Sequence, residues 1–269
     1  MPGRVAGKIA VVVGAGQTPG ETIGNGRATA ILLAREGARV LAVDRSLALA
    51  EETVGLIRGE GGEASAWEAD ATSEPQVERM VAAALERYGR IDILHNNVGA
   101  SLALGDAPAD TLSVEAFDRS FAVNLKTAWL ASKHALPSLR QRGGSIVNIS
   151  SLAALEAHPL LAYKTMKAAV IALTQHLAAA NARYGVRVNV ILPGLMNTPM
   201  AIEPRVAQGP SRAEVMAWRN QRVPLRHAMG SAWDVAYAAL FLHSDEAGFI
   251  SGASLLVDGA ASASFGNYD

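Results

Sequence analysis

The stretch VVVGAGQTPGETIGNGRATA, residues 11–30, decides the fold. A β-branched run, Ile9–Val13, leads into glycines at 14, 16, 20, 24 and 26, and an apolar helical pattern follows. Glycines between a strand and a helix let the backbone approach a pyrophosphate closely. The helix N-terminus adds unpaired N–H groups and a positive dipole end. The ambiguity is where the helix starts. A start at Gly20 places Gly24 and Gly26 in the first two turns, at roughly 1 kcal/mol each relative to alanine. A start at residues 24–26 leaves RATAILLARE uninterrupted and lets Gly37 close the helix. The second start is preferred, so residues 17–22 form an excursion ahead of the helix.

Outward from this stretch, strand and helix patterns alternate. The apolar runs at 39–43, 91–95, 145–149 and 186–192 are continuous like Ile9–Val13, which predicts strands buried on both faces. Leu47, Ala50, Val54 and Ile57 recur at helical spacing, as do Val77, Val81, Ala84, Leu85 and Tyr88. Ser73 with Gln76 three residues on has the spacing of a capping box. Ser113 opens a long helix carrying Phe117 and Phe121, and residues 161–184 form another. Such alternation implies right-handed crossovers and an α/β fold, a parallel sheet covered on both faces in three αβα layers. Without repeats or low-complexity linkers, residues 1–269 are expected to form a single domain. Residues 195–230 break the pattern with four prolines, five arginines and a helical patch at 211–221. Long irregular inserts in compact domains are usually functional, so a substrate lid is the preferred reading and a plain surface excursion the other.

The bulk numbers exclude several classes. Half of the 269 residues are hydrophobic and the formal net charge is −1, with no block of like charges. That argues against a nucleic-acid partner or a polybasic membrane anchor. The first apolar run is too short for a signal or membrane-spanning segment. The chain has no cysteine, hence no disulfide, thiolate metal site or thiol nucleophile; a cytoplasmic location fits, and no metal is expected.

Asp44 ends the second predicted strand, eighteen residues after Gly26. A carboxylate there can accept both ribose hydroxyls of NAD and repel the extra phosphate of NADP. Arg45 beside it can bind that phosphate, so NAD is preferred and NADP stays as the alternative. Tyr163 and Lys167 stand four apart, on one helical face. A phenol has a pKa near 10; bringing it to ~7 needs roughly 4 kcal/mol of differential stabilisation, which a desolvated ammonium aided by a positive cofactor ring can supply. GGSIVNISS places Ser150 and Ser151 at the carboxyl edge of the sheet, where open α/β folds bind ligands and a hydroxyl can hold a substrate oxygen. Asn124, among Phe121, Val123 and Leu125, needs a polar partner; a satisfied core amide is the bland reading.

These motifs together resemble the short-chain dehydrogenase/reductase family, in its branch of roughly 250-residue single-domain enzymes. The resemblance spans nearly the whole chain: NNVG (residues 96–99), Asn124, ISS before YKTMK, RVNVILPG (187–194) with Thr198, and VDG (257–259). It implies a Rossmann-type doubly wound parallel sheet of about seven strands and an NAD-dependent interconversion of a small-molecule secondary alcohol and its ketone. It further implies that Tyr163 is the acid/base, that Lys167 lowers its pKa and contacts the nicotinamide ribose, that Ser151 binds the substrate oxygen, and that Asn124 holds a water in a proton relay. By the same resemblance, Gly14, Gly16, Gly24, Asn25, Gly26 and Asp44 hold the cofactor. Asp70 and Ala71 stand at adenine, residues 96–99 with Asn97 and Gly99 line the adenosine side, and Pro193, Gly194 and Thr198 cradle the nicotinamide end. The chain departs from the pattern in the first loop, where Gly14 and Gly24 are ten positions apart instead of four. The six added residues are expected to flank the adenosine half. Val13 and Val98 replace the usual threonine and alanine. Ser150 lies thirteen before Tyr163, the family spacing, but Ser151 holds the motif position and is preferred.

Leu155, His158, Leu160, Met196 and Met200 are expected to edge a substrate pocket, and the arginines of the insert can greet an anion or simply face solvent. Ala168, Ala169, Ala172, Ala178, Ala179 and Ala180 allow close helix packing, and family members pair this helix across an interface, which implies a homotetramer. Two rivals remain: a dinucleotide-binding regulator without catalysis, and a lyase or epimerase in which the cofactor cycles.

Overall fold

The apolar runs assemble into one sheet in the computed structural model, which describes residues 3–264. In chain order the elements are β1 (Ile9–Val13), α1 (Asn25–Arg35), β2 (Arg39–Asp44), α2 (Leu47–Gly59), β3 (Ala64–Glu68), α3 (Glu74–Tyr88), β4 (Ile93–Asn96) and α4 (Val114–Phe121). A π-helical turn (Ala122–Lys126) leads into α5 (Thr127–Arg142), β5 (Gly144–Ile149), α6 (Leu161–Asn181), β6 (Val186–Pro193) and β7 (Met196–Asn197). Then come α7 (Pro199–Val206), α8 (Arg212–Gln221), β8 (Gly230–Ser231), α9 (Ala232–His243) and β9 (Ser254–Val257). Seven strands run parallel in the order β3-β2-β1-β4-β5-β6-β9, and β7 pairs with β8 in a separate two-stranded unit. This is the Rossmann-type order, and the chain reverses direction across the sheet between β1 and β4, where such folds open a crevice at the strand ends.

The side-chain alternation of the strands builds two cores. Val11, Val13, Leu41 and Val43 face α3 and α5, against Val77, Met80, Leu130 and Ala131. Ala10, Val12, Val40 and Ala42 face the other way, against Ile31 and Leu32 of α1 and Ala236 and Leu240 of α9. Both faces of β1 are therefore buried, as its continuous apolar run requires. The strands without such a run, β3 and β9, are the two edges. Their sequences, ASAWE and SLLV, alternate in exposure or end in solvent.

Helix α1 begins at Asn25 with Gly24 as its N-cap, the later of the two possible starts, and Gly37 beyond its end has φ +87°. Ser113 caps α4, its hydroxyl accepting from the Ala116 N–H at 3.2 Å. Ser73 precedes α3, but the expected capping box does not form. Gln76 instead turns its Oε1 to the Asp70 N–H at 2.9 Å, while Asp70 Oδ1 accepts from both the N–H and the hydroxyl of Thr72. The long helix predicted over 161–184 is α-helical to Asn181 and tightens to a 3₁₀ turn over Ala182–Tyr184. Among the described residues no helix is long and apolar enough to cross a membrane.

Deep in the sheet lies an ionisable pair that does not titrate with the surface. His95 and His243 are fully buried, with His243 Nε2 3.4 Å from His95 Nδ1 and His243 Nδ1 2.8 Å from the Ser145 hydroxyl. Burial pushes His95 down to about 3 and His243 well below the ordinary imidazole value, so both are neutral in the native state. An unfolded chain takes up these protons near pH 6.5 and the native chain does not. The stability they allow is complete above pH 6.5 and drains away as pH falls toward 3. His95 alone is expected to cost about 2 kcal/mol between pH 6.5 and 5. Urea midpoints at the two pH values should show the drop, and His95→Gln should flatten it; an equal drop in the variant contradicts the assignment.

Candidate active site

The site forms where β1, β4, β5 and β6 end. Helix α6 presents Tyr163 and Lys167 from its first two turns, and the chain leaving β5 presents Ser150 and Ser151. Lys167 is 2% exposed; its Nζ lies 5.8 Å from the Tyr163 ring centroid and donates to the Ile149 carbonyl at 2.9 Å. Burial lowers Lys167 to about 8. The two serines divide by environment. Ser150 is buried and donates to the Lys167 carbonyl at 2.6 Å, so its hydroxyl is committed to the helix. Ser151 Oγ accepts from the Ala153 N–H at 3.2 Å and is half-buried, and its hydroxyl favours the ionised form of the Tyr163 phenol, so it stands at the pocket.

The phenol departs from expectation. Burial raises Tyr163 above the ordinary phenol value, and the Ser151 hydrogen bond and the Arg205 charge pull it down less than burial pushes it up. In the protein alone, desolvation outweighs every cation near the ring, and Lys167 itself is weakened by the same burial.

Asn124 sits in the π-helical turn, a distortion that often marks functional positions. Its amide clasps one residue from both sides: Nδ2 donates to the Ala100 carbonyl at 2.8 Å and Oδ1 accepts from the Ala100 N–H at 3.0 Å. A third contact joins Nδ2 to the Ser120 hydroxyl at 3.2 Å. The clasp holds the chain beyond β4 against Lys167. An ideal Cβ at Gly99 would lie 2.8 Å from Lys167 Nζ and 3.2 Å from Asn124 Oδ1, so a side chain there would push the ammonium from its place.

The cofactor side is built by close backbone approach. Gly14 has φ +85°, and a Cβ at Gly26 would lie 1.9 Å from the Gly14 carbonyl oxygen, which places α1 directly on the turn. Asn97 Nδ2 donates to that same carbonyl at 3.0 Å. Asp44 Oδ2 accepts from the Gly16 N–H at 3.1 Å and Oδ1 from the Ser46 N–H at 3.1 Å, and a Cβ at Gly16 would strike this carboxylate. Arg45 lies exposed beside it. The side-chain oxygen Oδ1 of Asn25, the first residue of α1, is buried without a protein partner. A side-chain-free cradle, a helix N-terminus and a terminal carboxylate together fit a dinucleotide. Pro193 ends β6, a Cβ at Gly194 would meet Asp258, and Thr198 holds the N-cap position of α7 without a side-chain capping bond. Asp70 and Ala71 follow β3, on the same edge of the sheet as Asp44.

Three expectations change. Asn96 does not line the crevice: it is buried, donating to Asn148 Oδ1 of β5 at 2.8 Å. Met196 is likewise buried, packed with β5, β6 and α9 rather than edging a pocket. His158 does come near, its ring centroid 6.0 Å from that of Tyr163, and Leu155 and Met200 are exposed. The inserted residues 17–22 meet the insert at 195–230, not the Asp44 and Asp70 side. Gln17 closes the excursion, its Oε1 accepting from the Gly24 N–H at 2.9 Å. A Cβ at Gly20 would strike Glu203 and Pro199 of α7, and Arg212 of α8 bridges Glu21 at 3.2 Å and Glu203 at 2.7 Å.

One residue passed over in the sequence is Asp106. Its Oδ2 accepts from the Tyr163 N–H at 2.6 Å and its Oδ1 from the Ala162 N–H at 3.0 Å. Helix α6 has no side-chain cap of its own, since Leu160 occupies the N-cap. Asp106, 57 positions before Tyr163, serves instead, with its charge at the positive helix end. Within a loop of Gly, Ala and Pro it reads as a turn residue, and nothing local betrays so distant a partner. Asp106→Ala should lower stability by about 1–2 kcal/mol in urea. It should also lower kcat more than it raises KM, because the backbone it frees carries Tyr163. An unchanged kcat would show that the clamp is structural alone.

Residues 21–262 match the family model described as enoyl-(acyl carrier protein) reductase. The chain is 36% identical to 2-(R)-hydroxypropyl-CoM dehydrogenase of Xanthobacter autotrophicus, over 95% of this chain and 99% of that protein. It is 35% identical to 7alpha-hydroxysteroid dehydrogenase of Clostridium sardiniense, over 93% and 91% of the two chains. A crystal structure from Burkholderia xenovorans, titled as a short-chain dehydrogenase/reductase, superposes with a TM-score of 0.93 at 40% identity, covering 98% of this chain and all of that one. The fold, the strand order and these relatives lead to one assignment: the chain belongs to the short-chain dehydrogenase/reductase family, oxidoreductases that act on CH–OH groups with NAD(P).

Proposed function

We propose that this protein interconverts a secondary alcohol and its ketone with NAD, Tyr163 carrying the proton. The observation that supports this most is the gathering of Ser151, Tyr163 and Lys167 at the end of β5, the ammonium buried and the two hydroxyl side chains half-buried. Bound there, the nicotinamide ring supplies the hydride acceptor or donor. Ser151 donates to the substrate oxygen and holds it beside the phenol. At neutral pH Tyr163, raised by burial, is protonated and ready to give its proton to a ketone oxygen as charge develops there. Oxidation requires the phenolate, so it is expected to accelerate as pH rises while reduction slows. Lys167 and Asn124 fix the floor of the site through Ile149 and Ala100.

NAD is preferred because Asp44 stands at the end of β2 with both oxygens aligned by backbone N–H groups, where a ribose phosphate would meet its charge. Residues 195–230 act as a lid, since α7 and α8 lie across the inserted loop. The named relatives act on dissimilar substrates, a hydroxypropyl-CoM and a hydroxysteroid, so relatedness leaves the substrate open. The cysteine-free composition accords with a cytoplasmic home.

The test is a panel of secondary alcohols and ketones with NAD and NADP, followed at the absorbance of the reduced cofactor. Tyr163→Phe should keep cofactor affinity near normal and lose about 10²- to 10⁴-fold in kcat. Ser151→Ala should lose turnover in excess of Ser150→Ala. Tight NAD binding without turnover of any alcohol or ketone would favour a non-catalytic regulator.

We also propose a homotetramer. Ala172, Ala179 and Ala180 of α6 are exposed, and Phe121 and Trp129 stand exposed on the neighbouring helix pair. Light scattering should return four times 28.1 kDa; a monomeric mass would contradict it.

A further inference from the structure

The chain between Ser151 and Tyr163 reads LAALEAHPLLA and holds few side chains that could tie it down. It opens with a 3₁₀ turn over Leu152–Ala154, with Ser151 at the N-cap. The N–H groups are used inside the turn: Ala154 donates to the Ser151 carbonyl, and Leu155 and Glu156 donate to that of Leu152. No backbone N–H among the described residues reaches the carbonyls of Ala153, Ala154 and Glu156. Carbonyls left over at the end of a turn need a donor from elsewhere.

Lys164 supplies it. Its Nζ donates to the Ala153 and Ala154 carbonyls, each at 3.3 Å, and to the Glu156 carbonyl. The side chain is half-buried, and its partners are main-chain oxygens rather than a carboxylate. The position is otherwise unfavourable, since Lys164 stands fourth in α6, where a cation opposes the positive helix end. The carbonyl dipoles of a single turn offset that opposition.

The turn gripped in this way carries a reacting group. Ala153 is held from both sides: its N–H donates to Ser151 Oγ at 3.2 Å, and its carbonyl accepts from Lys164. Lys164 in turn follows Tyr163 directly, and the Tyr163 N–H is fixed by Asp106 at 2.6 Å. A continuous path runs from the Ser151 hydroxyl through Ala153 and the ammonium to the helical turn that bears the phenol. Beyond the turn, the same loop brings the His158 ring centroid to 6.0 Å from that of Tyr163.

We propose that Lys164 is a positioning residue of the active centre: its ammonium fastens the turn that carries Ser151 to the helix that carries Tyr163, so that the Ser151 hydroxyl is in place before substrate arrives. This deepens the proposed function and rests on Ser151 as the group that holds the substrate oxygen and on Tyr163 as the proton carrier. Lys164 acts through Ser151 and touches neither substrate nor cofactor.

The test is a double-mutant cycle in the full-length enzyme, run with NAD and the secondary alcohol of the panel that has the highest kcat/KM. Lys164→Met should lower kcat by about 10- to 100-fold with KM little changed, and Lys164→Arg should recover part of the loss. In a Ser151→Ala background Lys164→Met should cost nothing further. Titration of the Tyr163 phenol in the cofactor-free enzyme gives a readout independent of turnover, followed as tyrosinate absorbance against Tyr163→Phe. The Ser151 hydroxyl favours the ionised phenol, so Lys164→Met should move that titration to higher pH as Ser151→Ala does. The other groups about the phenol, Lys167, His158, Arg205 and Asp106, are the same in both variants. Should Lys164→Met fail to fold, Lys164→Gln carries the same comparison. A lower urea midpoint with unchanged kcat and phenol titration would make the contact structural alone and overturn the proposal. Equal losses of kcat with and without Ser151 would also overturn it, because Lys164 would then act by another route. A phenol titration raised alike in Lys164→Met and Ser151→Ala, with no turnover of any alcohol or ketone by the unmodified enzyme, would uphold the positioning and sink the redox reading.

Discussion

The site depends on keeping an ammonium out of water. Lys167 is all but buried, and its nearest acceptor is a strand-end carbonyl, not a carboxylate. Such a position is unfavourable for a cation unless the surroundings are fixed by stronger demands. Here they are. Ser150 ties the Lys167 backbone to the sheet, Asn124 ties Ala100 over the side chain, and Gly99 leaves the space that any Cβ would take. Each of these contacts crosses from one element to another, so the ammonium is held by the register of the sheet rather than by its own helix.

The same enclosure explains the electrostatics. Burial raises the phenol and weakens the amine together, because the low-dielectric environment penalises whichever form is charged. The Lys167 ammonium has no carboxylate partner among the described residues. Asp106 is the nearest acid by contact, yet its charge is spent on backbone N–H groups at the start of α6. A centre built this way favours developing negative charge on an oxygen, which is what carbonyl reduction requires of its surroundings.

Much of this was legible because continuous apolar runs announce strands buried on both faces, and the five central strands have them. The edges β3 and β9 face solvent on one side or at one end, so their sequences carry no such run and only the family resemblance supplied them. Gly24 and Gly26 located the start of α1 because glycine inside a helix is unfavourable. Ser73 misled because a capping spacing cannot reveal that Gln76 has a better use at Asp70. The Tyr163–Lys167 pair was readable from its spacing, whereas Ser151 came from the resemblance, since the spacing itself points to Ser150. The division of labour between Ser150 and Ser151 was not, since it depends on which hydroxyl faces the next helix. Asn96 looked like part of a cofactor motif and is a core amide, because strand alternation turns it inward. Asp106 and the Glu21–Arg212–Glu203 bridge join segments far apart in the chain, where no local pattern reaches.

That bridge has a consequence for how the protein tolerates change. The excursion at 17–22 and the two short helices at 199–221 share Arg212 as a common counter-charge, and Gly20 lies where any larger side chain would press on Glu203. Substitutions in one segment therefore cannot be priced apart from the other: their free energies will not add. Grafting a shorter turn from a relative would strip Arg212 of one acid and Pro199 of its packing against Gly20. The two insertions must drift through evolution as a single unit, each setting which sequences the other can explore.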